Sequence, residues 1–273
     1  MDVRSKTVEL SVVEQQFVLK TAEDTVPGIL WSPEAPTGPR PTILIGHGGG
    51  AHKRAPYVLD LARRFVGHLG FSAAALDAPD FGDRIDPEAA ERQRRALQER
   101  RAAGPGAGPP TLDPAVWAER TRKGVLEWKA LLDDLDADGT VSNGRYGYWG
   151  LSMGTAIGLP FVATEPRIAA AVLGLAGLGG ILGADHGGRL ARSLEVPVLL
   201  VEQWDDQLIG RDGALALFDA LGSRDKALHV HPGGHIETPL YELDAYDAFF
   251  GRHLISDDHS SSAAWIKDMQ GNV

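Results

Sequence analysis

Arg145-Tyr146-Gly147-Tyr148-Trp149-Gly150-Leu151-Ser152-Met153-Gly154-Thr155-Ala156-Ile157-Gly158 is the stretch whose reading decides the fold. Its first half is an apolar run of strand type, its second half is a small-residue helical segment, and a serine between two glycines stands at the junction. A strand that turns into a helix at Gly-x-Ser-x-Gly holds the serine in a strained backbone conformation at the strand tip. The glycines are needed there because side chains would collide with the neighbouring strand and helix. Ser152 is therefore the candidate nucleophile. The alternative is a Gly/Ser loop without chemistry, which the apolar strand directly before it disfavours.

Working outward, short apolar runs alternate with helical periodicity on both sides of this turn. Upstream, 7–20 and 25–31 read as opening antiparallel strands at a sheet edge, and a Pro/Gly connector over 36–41 leads into the strand Thr42-Ile43-Leu44-Ile45. A helix over 56–69, a strand over 71–76 and a helix over 114–135 follow. Downstream come a helix after Ser152, strands near 169–175 and 196–201, a helix near 213–221, a strand over 227–231 and a closing helix near 240–253. Strands alternating with helices imply an α/β fold with a mostly parallel sheet covered on both faces. In a chain of 273 residues this is expected to be one domain.

The segment 84–112 interrupts the rhythm. It carries arginines and acidic residues on a helix and then the Gly/Pro-rich run 104–110, and it reads either as a solvated helix with a loop or as a small cap over the site. The stretch 256–273 reads as a C-terminal tail. Hydrophobic residues at 43% and charged residues at 23% exclude global disorder, and 27 Lys plus Arg against 37 Asp plus Glu, a net charge of −10, disfavour nucleic acid or an anionic membrane as partner. With no cysteine there is no disulfide, thiolate metal site or cysteine nucleophile, which fits a cytoplasmic protein. The N-terminus has no signal-peptide pattern, and the apolar stretch 168–182 is broken by glycines and too short to span a membrane.

A serine hydroxyl needs a general base, and the base needs a carboxylate to orient it. His235 lies in the loop after the strand 227–231, and Asp206 lies just past the strand 196–201, both at carboxyl ends of strands, where sites of such sheets form. His231 is still on its strand and is the weaker base. Asp206 is preferred to Asp205 because Asp206-Gln207-Leu208-Ile209 fits an acid-x-aliphatic-aliphatic pattern. The oxyanion formed on attack needs two backbone donors. Met153, directly after the serine, is one; the other comes from Gly46-His47-Gly48-Gly49-Gly50, with Gly49 first and Gly48 second. His47 reads as a loop-ordering hydrogen bonder rather than a proton shuttle. His52, Lys53 and Arg54 read as an exposed basic cluster at a helix start, with contact to a substrate carboxylate as the alternative. Asp77, Asp80 and Asp83 read as turn-capping residues rather than metal ligands. Phe81, Trp117, Leu178 and Leu182 serve either an apolar acyl pocket or the core.

Together, Gly46 to Gly50, Gly70-Phe71 with Asp77 and Gly82, Gly150 to Gly154, Asp206 and Gly234-His235 resemble the α/β-hydrolase superfamily, in its dienelactone-hydrolase-like and bacterial carboxylesterase branch. The resemblance spans about 26–253. It implies the α/β-hydrolase fold with an eight-stranded, mostly parallel sheet, and Ser-His-Asp acyl transfer on a small-molecule ester without metal or organic cofactor. Thioesters, lactones and peptide-type bonds suit the same machinery, a non-catalytic small-molecule-binding protein is the reading from another class, and a homodimer is compatible with all of them. Two departures stand out. Dienelactone hydrolases use a cysteine nucleophile, absent here, and Gln203 stands where many relatives have a glycine before the acid. Pro160 is expected to kink or shorten the helix after Ser152.

Overall fold

The computed structural model describes residues 1–103 and 113–255. The Gly/Pro-rich run 104–110 and the tail 256–273 lie outside the described residues, as does the end of the expected cap at 112.

Strands β1 (Asp2–Glu9), β2 (Val12–Lys20), β3 (Thr25–Pro33), β4 (Arg40–Gly46), β5 (Ser72–Leu76), β6 (Ser142–Leu151), β7 (Ile168–Gly174), β8 (Val198–Gln203) and β9 (Lys226–His231) form one sheet in the order β1-β2-β3-β5-β4-β6-β7-β8-β9. Among the described residues the sheet therefore has nine strands where the resemblance implied eight. From β5 onward all neighbours are parallel, and β1, β2 and β3 add an antiparallel extension. The additional strand is β1, which pairs with β2 through a turn whose two residues, Leu10 and Ser11, have φ of 51° and 61°. That geometry matches the twist of a two-residue hairpin. Every residue of β1 is exposed.

The helices are α1 (Pro56–Leu69), α2 (Pro87–Ala102), α3 (Pro114–Asp138), α4 (Met153–Thr164), α5 (Gly188–Ser193), α6 (Arg211–Ala220) and α7 (Glu242–Ile255). Alternation along the parallel strands sorts the core into two layers. Leu44, Tyr146, Tyr148, Leu173 and Leu200 face α3, α4, α5 and α6, where they meet Trp128, Leu132, Phe161, Ala191 and Leu217. Ile43, Ile45, Trp149, Val172 and Val201 face α1 and α7, where they meet Val58, Phe65, Phe250 and Leu254. A strand buried on both faces has no polar side, which is why Ile43-Leu44-Ile45 is uninterrupted.

Local signals set the helix ends. Pro56 opens α1, and Gly70, with φ 67°, closes it: the Gly70 N–H donates to the Val66 carbonyl and the Phe71 N–H to the Phe65 carbonyl. Asp113 caps α3 by accepting from the Ala115 N–H at 2.8 Å. The helix α4 is not cut short at Pro160 but continues to Thr164. Its flanks are buried by Ile157, Leu159 and Phe161, and that packing outweighs the one hydrogen bond proline removes. None of the described side chains of α2 is buried, and Arg92, Arg94 and Arg95 pair along its own surface with Glu88 and Glu91. Phe81, Trp117 and Leu182 belong to the core, with Leu178 packed against it. Among the described residues no helix is long and apolar enough to cross a membrane.

Candidate active site

The parallel strands deliver Gly46, Leu151, Gly174 and Gln203 to one edge of the sheet, and the candidate residues emerge beyond those ends. Ser152 turns the chain from β6 into α4 with φ 58° and ψ −117°, a conformation that costs a non-glycine residue about 1–3 kcal/mol. Neighbouring backbone holds it there. The Ser152 N–H donates to the Gly174 carbonyl at 2.9 Å, and Thr155 Oγ1 lies 2.7 Å from both the Gly150 and Gly174 carbonyls while accepting from the Gly174 N–H at 2.8 Å. The two flanking glycines are sterically required. A Cβ on Gly154 would stand 2.4 Å from the Gly46 carbonyl oxygen, and one on Gly150 would stand 2.9 Å from the Gly154 backbone.

Three predicted side chains converge at this point. His235 Nε2 lies 2.9 Å from Ser152 Oγ, and His235 Nδ1 lies 2.6 Å from Asp206 Oδ2. The other oxygen of Asp206 accepts from the Leu208 and Ile209 N–H groups at 2.7 and 2.9 Å, so the carboxylate is oriented by its own turn. Asp205, the alternative, is exposed and points away, its Oδ2 taking a 3.4 Å contact from the Gly233 N–H. The imidazole of His235 and the carboxylate of Asp206 are almost wholly enclosed, with 6% and 1% of their side chains exposed. In such surroundings a paired charge interacts more strongly than in water.

The loop after β4 lies beside this group. Gly49 is adjacent to Met153, a Cβ on it falling 3.9 Å from Met153 Cβ. Met153 is the first residue of α4, and its N–H is one of those an α-helix leaves without an internal partner. The Gly48 N–H, the second choice of donor, is instead engaged by the Tyr57 hydroxyl at 2.8 Å. Although Tyr57 as a residue is 37% exposed, its hydroxyl end is enclosed, and this burial pushes the phenol up to about 12. It is neutral at ordinary pH. His47 orders the same loop: burial holds its imidazole down at about 4, Nε2 accepts from the Ala78 N–H at 3.0 Å, and Nδ1 donates to the Gly48 carbonyl at 2.9 Å.

Lys53 is not exposed. Its ammonium is buried between Asp77 and Asp83, 2.6 Å from each, because Asp77 also accepts the Lys53 and Asp83 backbone N–H groups at 2.9 Å. That corrects the reading of Lys53 as part of an exposed basic cluster, while His52 and Arg54 are exposed. Asp77 and Asp83 serve the turn, and Asp80 pairs with Arg120 at 2.9 Å.

Several residues at the site have no motif to reveal them. Gln207 Oε1 accepts the His235 N–H at 3.1 Å and so steadies the histidine loop. Thr155 and Tyr57 brace the serine turn and the Gly48 loop. Glu202, on β8 close to Asp206, is pushed up to about 9 by burial and further by the Asp206 charge, so it stands protonated at neutral pH. It adds no second negative charge beside the carboxylate that faces His235.

Neither a protein-family model nor a curated protein matches the chain. Solved structures do. A cold-adapted esterase from an Arctic intertidal metagenomic library, in a PEG-bound complex, is 35% identical with a TM-score of 0.77, covering 93% of this chain and 100% of its own. An acetyl xylan esterase from Paenibacillus sp. R4 aligns at 18% identity and TM-score 0.67 over 93% of this chain and 88% of its own. A dienelactone hydrolase from Anabaena variabilis aligns at 17% identity and TM-score 0.60, over 89% and 99% of the respective chains. The latter two speak for the fold alone.

Proposed function

Because the chain belongs to the α/β-hydrolase superfamily, and its 35%-identical relative is an esterase, we propose that it hydrolyses carboxylic esters through Ser152, His235 and Asp206. The observation that carries this reading is the unbroken relay from Ser152 Oγ to His235 Nε2 at 2.9 Å and from His235 Nδ1 to Asp206 Oδ2 at 2.6 Å.

The chemistry follows from that relay. Ser152 Oγ attacks the ester carbonyl while His235 Nε2 takes its proton, and the imidazolium so formed is stabilised by Asp206, which keeps the remaining proton on Nδ1. The negative charge that develops on the carbonyl oxygen is met by the Met153 N–H, at the positive end of α4, and by the Gly49 N–H. The Gly48 N–H is already spent on Tyr57. Collapse of the tetrahedral intermediate breaks the bond to the alcohol, which leaves with the proton held by His235. Water then attacks the acyl-serine, His235 taking its proton and returning one to Ser152, and the carboxylic acid departs. No step calls for a metal or an organic cofactor, and the substrate is a small molecule.

A fluorophosphonate probe reacts with an activated serine. It is expected to label the wild-type chain at Ser152 and to leave Ser152→Ala unlabelled; equal labelling of the variant would refute the assignment. A hydrolysis screen across acyl length and leaving group, with Ser152→Ala as control, then sorts oxygen esters from thioesters and lactones. Ligand binding without turnover on any of them would instead favour the non-catalytic reading.

A further inference from the structure

His229 and His231 stand two residues apart on β9, the last strand of the sheet, so both side chains project from the same face. The N-terminal residue of α7, Glu242, meets them there: its two carboxylate oxygens lie 2.8 Å from His229 Nδ1 and 2.8 Å from His231 Nε2. The three donor atoms fall within 4.8 Å of one another. None of them belongs to the relay at Ser152.

We propose that this cluster is a binding site for a divalent transition-metal ion of the zinc class, with His229 Nδ1, His231 Nε2 and the Glu242 carboxylate as its ligands. Two imidazoles and one carboxylate form a donor set suited to zinc, which takes nitrogen and carboxylate oxygen at about 2.0–2.2 Å. Ligands at that radius in a tetrahedron are about 3.4 Å apart. Entry of the ion therefore widens the short imidazole–carboxylate contacts from 2.8 Å and draws together the donor atoms that stand further apart within the 4.8 Å span, both by side-chain rotation.

Charge favours the same conclusion. The Glu242 side chain is 2% exposed, and its ion-pair partners among the described residues are these two imidazoles. A buried carboxylate is costly unless paired, and a divalent cation places positive charge directly on it. The surroundings can also absorb the change of tautomer that ligation requires. When His231 Nε2 gives its lone pair to a metal, its proton moves to Nδ1, and the Tyr241 hydroxyl, 3.2 Å from Nδ1, can accept there just as readily as it donates. His229 makes the same change: the Nδ1 proton it donates to Glu242 at 2.8 Å moves to Nε2 when Nδ1 ligates the ion. With 38% of its side chain exposed, it leaves the cluster open for the ion and for water as a fourth ligand.

The test uses the full chain freed of metal with a chelator. Calorimetric titration with zinc chloride is expected to give one ion per chain, and cobalt(II) in its place is expected to give the intense visible absorption of a tetrahedral site. His229→Ala, which alters the most exposed ligand and leaves the fold intact, should lower zinc affinity by more than about a hundredfold, beyond the 10- to 100-fold cost of losing an outer partner. Tyr241→Phe should fall within that smaller range. Ser152→Ala and His235→Ala should bind zinc as the wild type does. Absence of saturable binding would overturn the proposal, as would undiminished binding by His229→Ala or a loss confined to His235→Ala, which would place the ion at the serine.

Discussion

Asp206→Asn changes a single hydrogen-bonding property at constant shape, and its effect can be worked out from the distances. Asp206 Oδ1 accepts from the Leu208 and Ile209 N–H groups at 2.7 and 2.9 Å, so an asparagine there turns its carbonyl oxygen toward those two donors. Its NH₂ then faces His235 Nδ1, across what was a 2.6 Å contact to a carboxylate oxygen. A donor at that place forces the imidazole proton onto Nε2, where the ring can no longer accept from Ser152 Oγ. The same tautomer error in a serine triad costs about ten-thousand-fold in kcat, equivalent to about 5 kcal/mol at 1.36 kcal/mol per decade. KM should move little, since Asp206 reaches the substrate only through His235. Asp205→Asn is the internal control: Asp205 is exposed and makes a 3.4 Å contact, so kcat should stay within about threefold, the scale of an ordinary surface substitution. Steady-state hydrolysis of p-nitrophenyl acetate by both variants, with melting curves to confirm folding, decides the matter. If Asp205→Asn is the more damaged, or if Asp206→Asn keeps more than a tenth of wild-type kcat, the assignment of the acid is wrong.

Two further outcomes follow from packing and from charge. Gly154→Ala would push a Cβ to 2.4 Å from the Gly46 carbonyl oxygen, a backbone atom that cannot swing aside, so the variant should lose about 1–3 kcal/mol of stability and much of its kcat as the Gly48–Gly49 loop is displaced. Gly67→Ala in α1, where a Cβ meets nothing within 4 Å, should gain up to about 1 kcal/mol instead; equal melting temperatures for the two variants would contradict the reasoning. For His47, burial lowers the imidazole from 6.5 to about 4, so between those values the unfolded chain binds a proton that the folded chain refuses. Its stabilising contribution is complete above pH 6.5 and is lost as pH falls toward 4, by up to about 3 kcal/mol. His47→Gln should flatten the melting-temperature profile in that window, and an unaltered slope would refute the burial of a neutral imidazole.

What could be read from the sequence was what local backbone geometry demands. The turn at Ser152 requires glycines at 150 and 154 because Gly154 packs on Gly46, and such a requirement writes itself into consecutive residues. Buried strands did so as well: Ile43-Leu44-Ile45 is apolar throughout because it faces two core layers. β1 left no such pattern, since its side chains are all exposed and its pairing with β2 runs through backbone groups common to every residue. Nor could the local rule at Pro160 foresee the burial that carries α4 past it.

Groups that act across space are a harder case still. Asp205 and Asp206 are neighbours in one turn, and only the direction of the chain there, set by the Leu208 and Ile209 amides, aims one at His235 and the other at solvent. Tyr57, Gln207 and Glu202 carry no motif because each acts on a residue of another element. The cluster at His229, His231 and Glu242 has the same character. The spacing of two histidines on a strand places them on one face, but the carboxylate that makes a donor set of them arrives from α7, after the chain has passed through His235 and turned back. The loop bearing His235 is thus tethered between that cluster and the serine, held at one end by the His231–Glu242 contact of 2.8 Å and at the other by Gln207 on the His235 N–H at 3.1 Å. Glu237 adds an internal brace, accepting the Gly234 N–H at 2.7 Å and donating its own N–H to the Gly234 carbonyl at 2.9 Å, so that a loop opening with Gly233-Gly234 keeps His235 2.9 Å from Ser152.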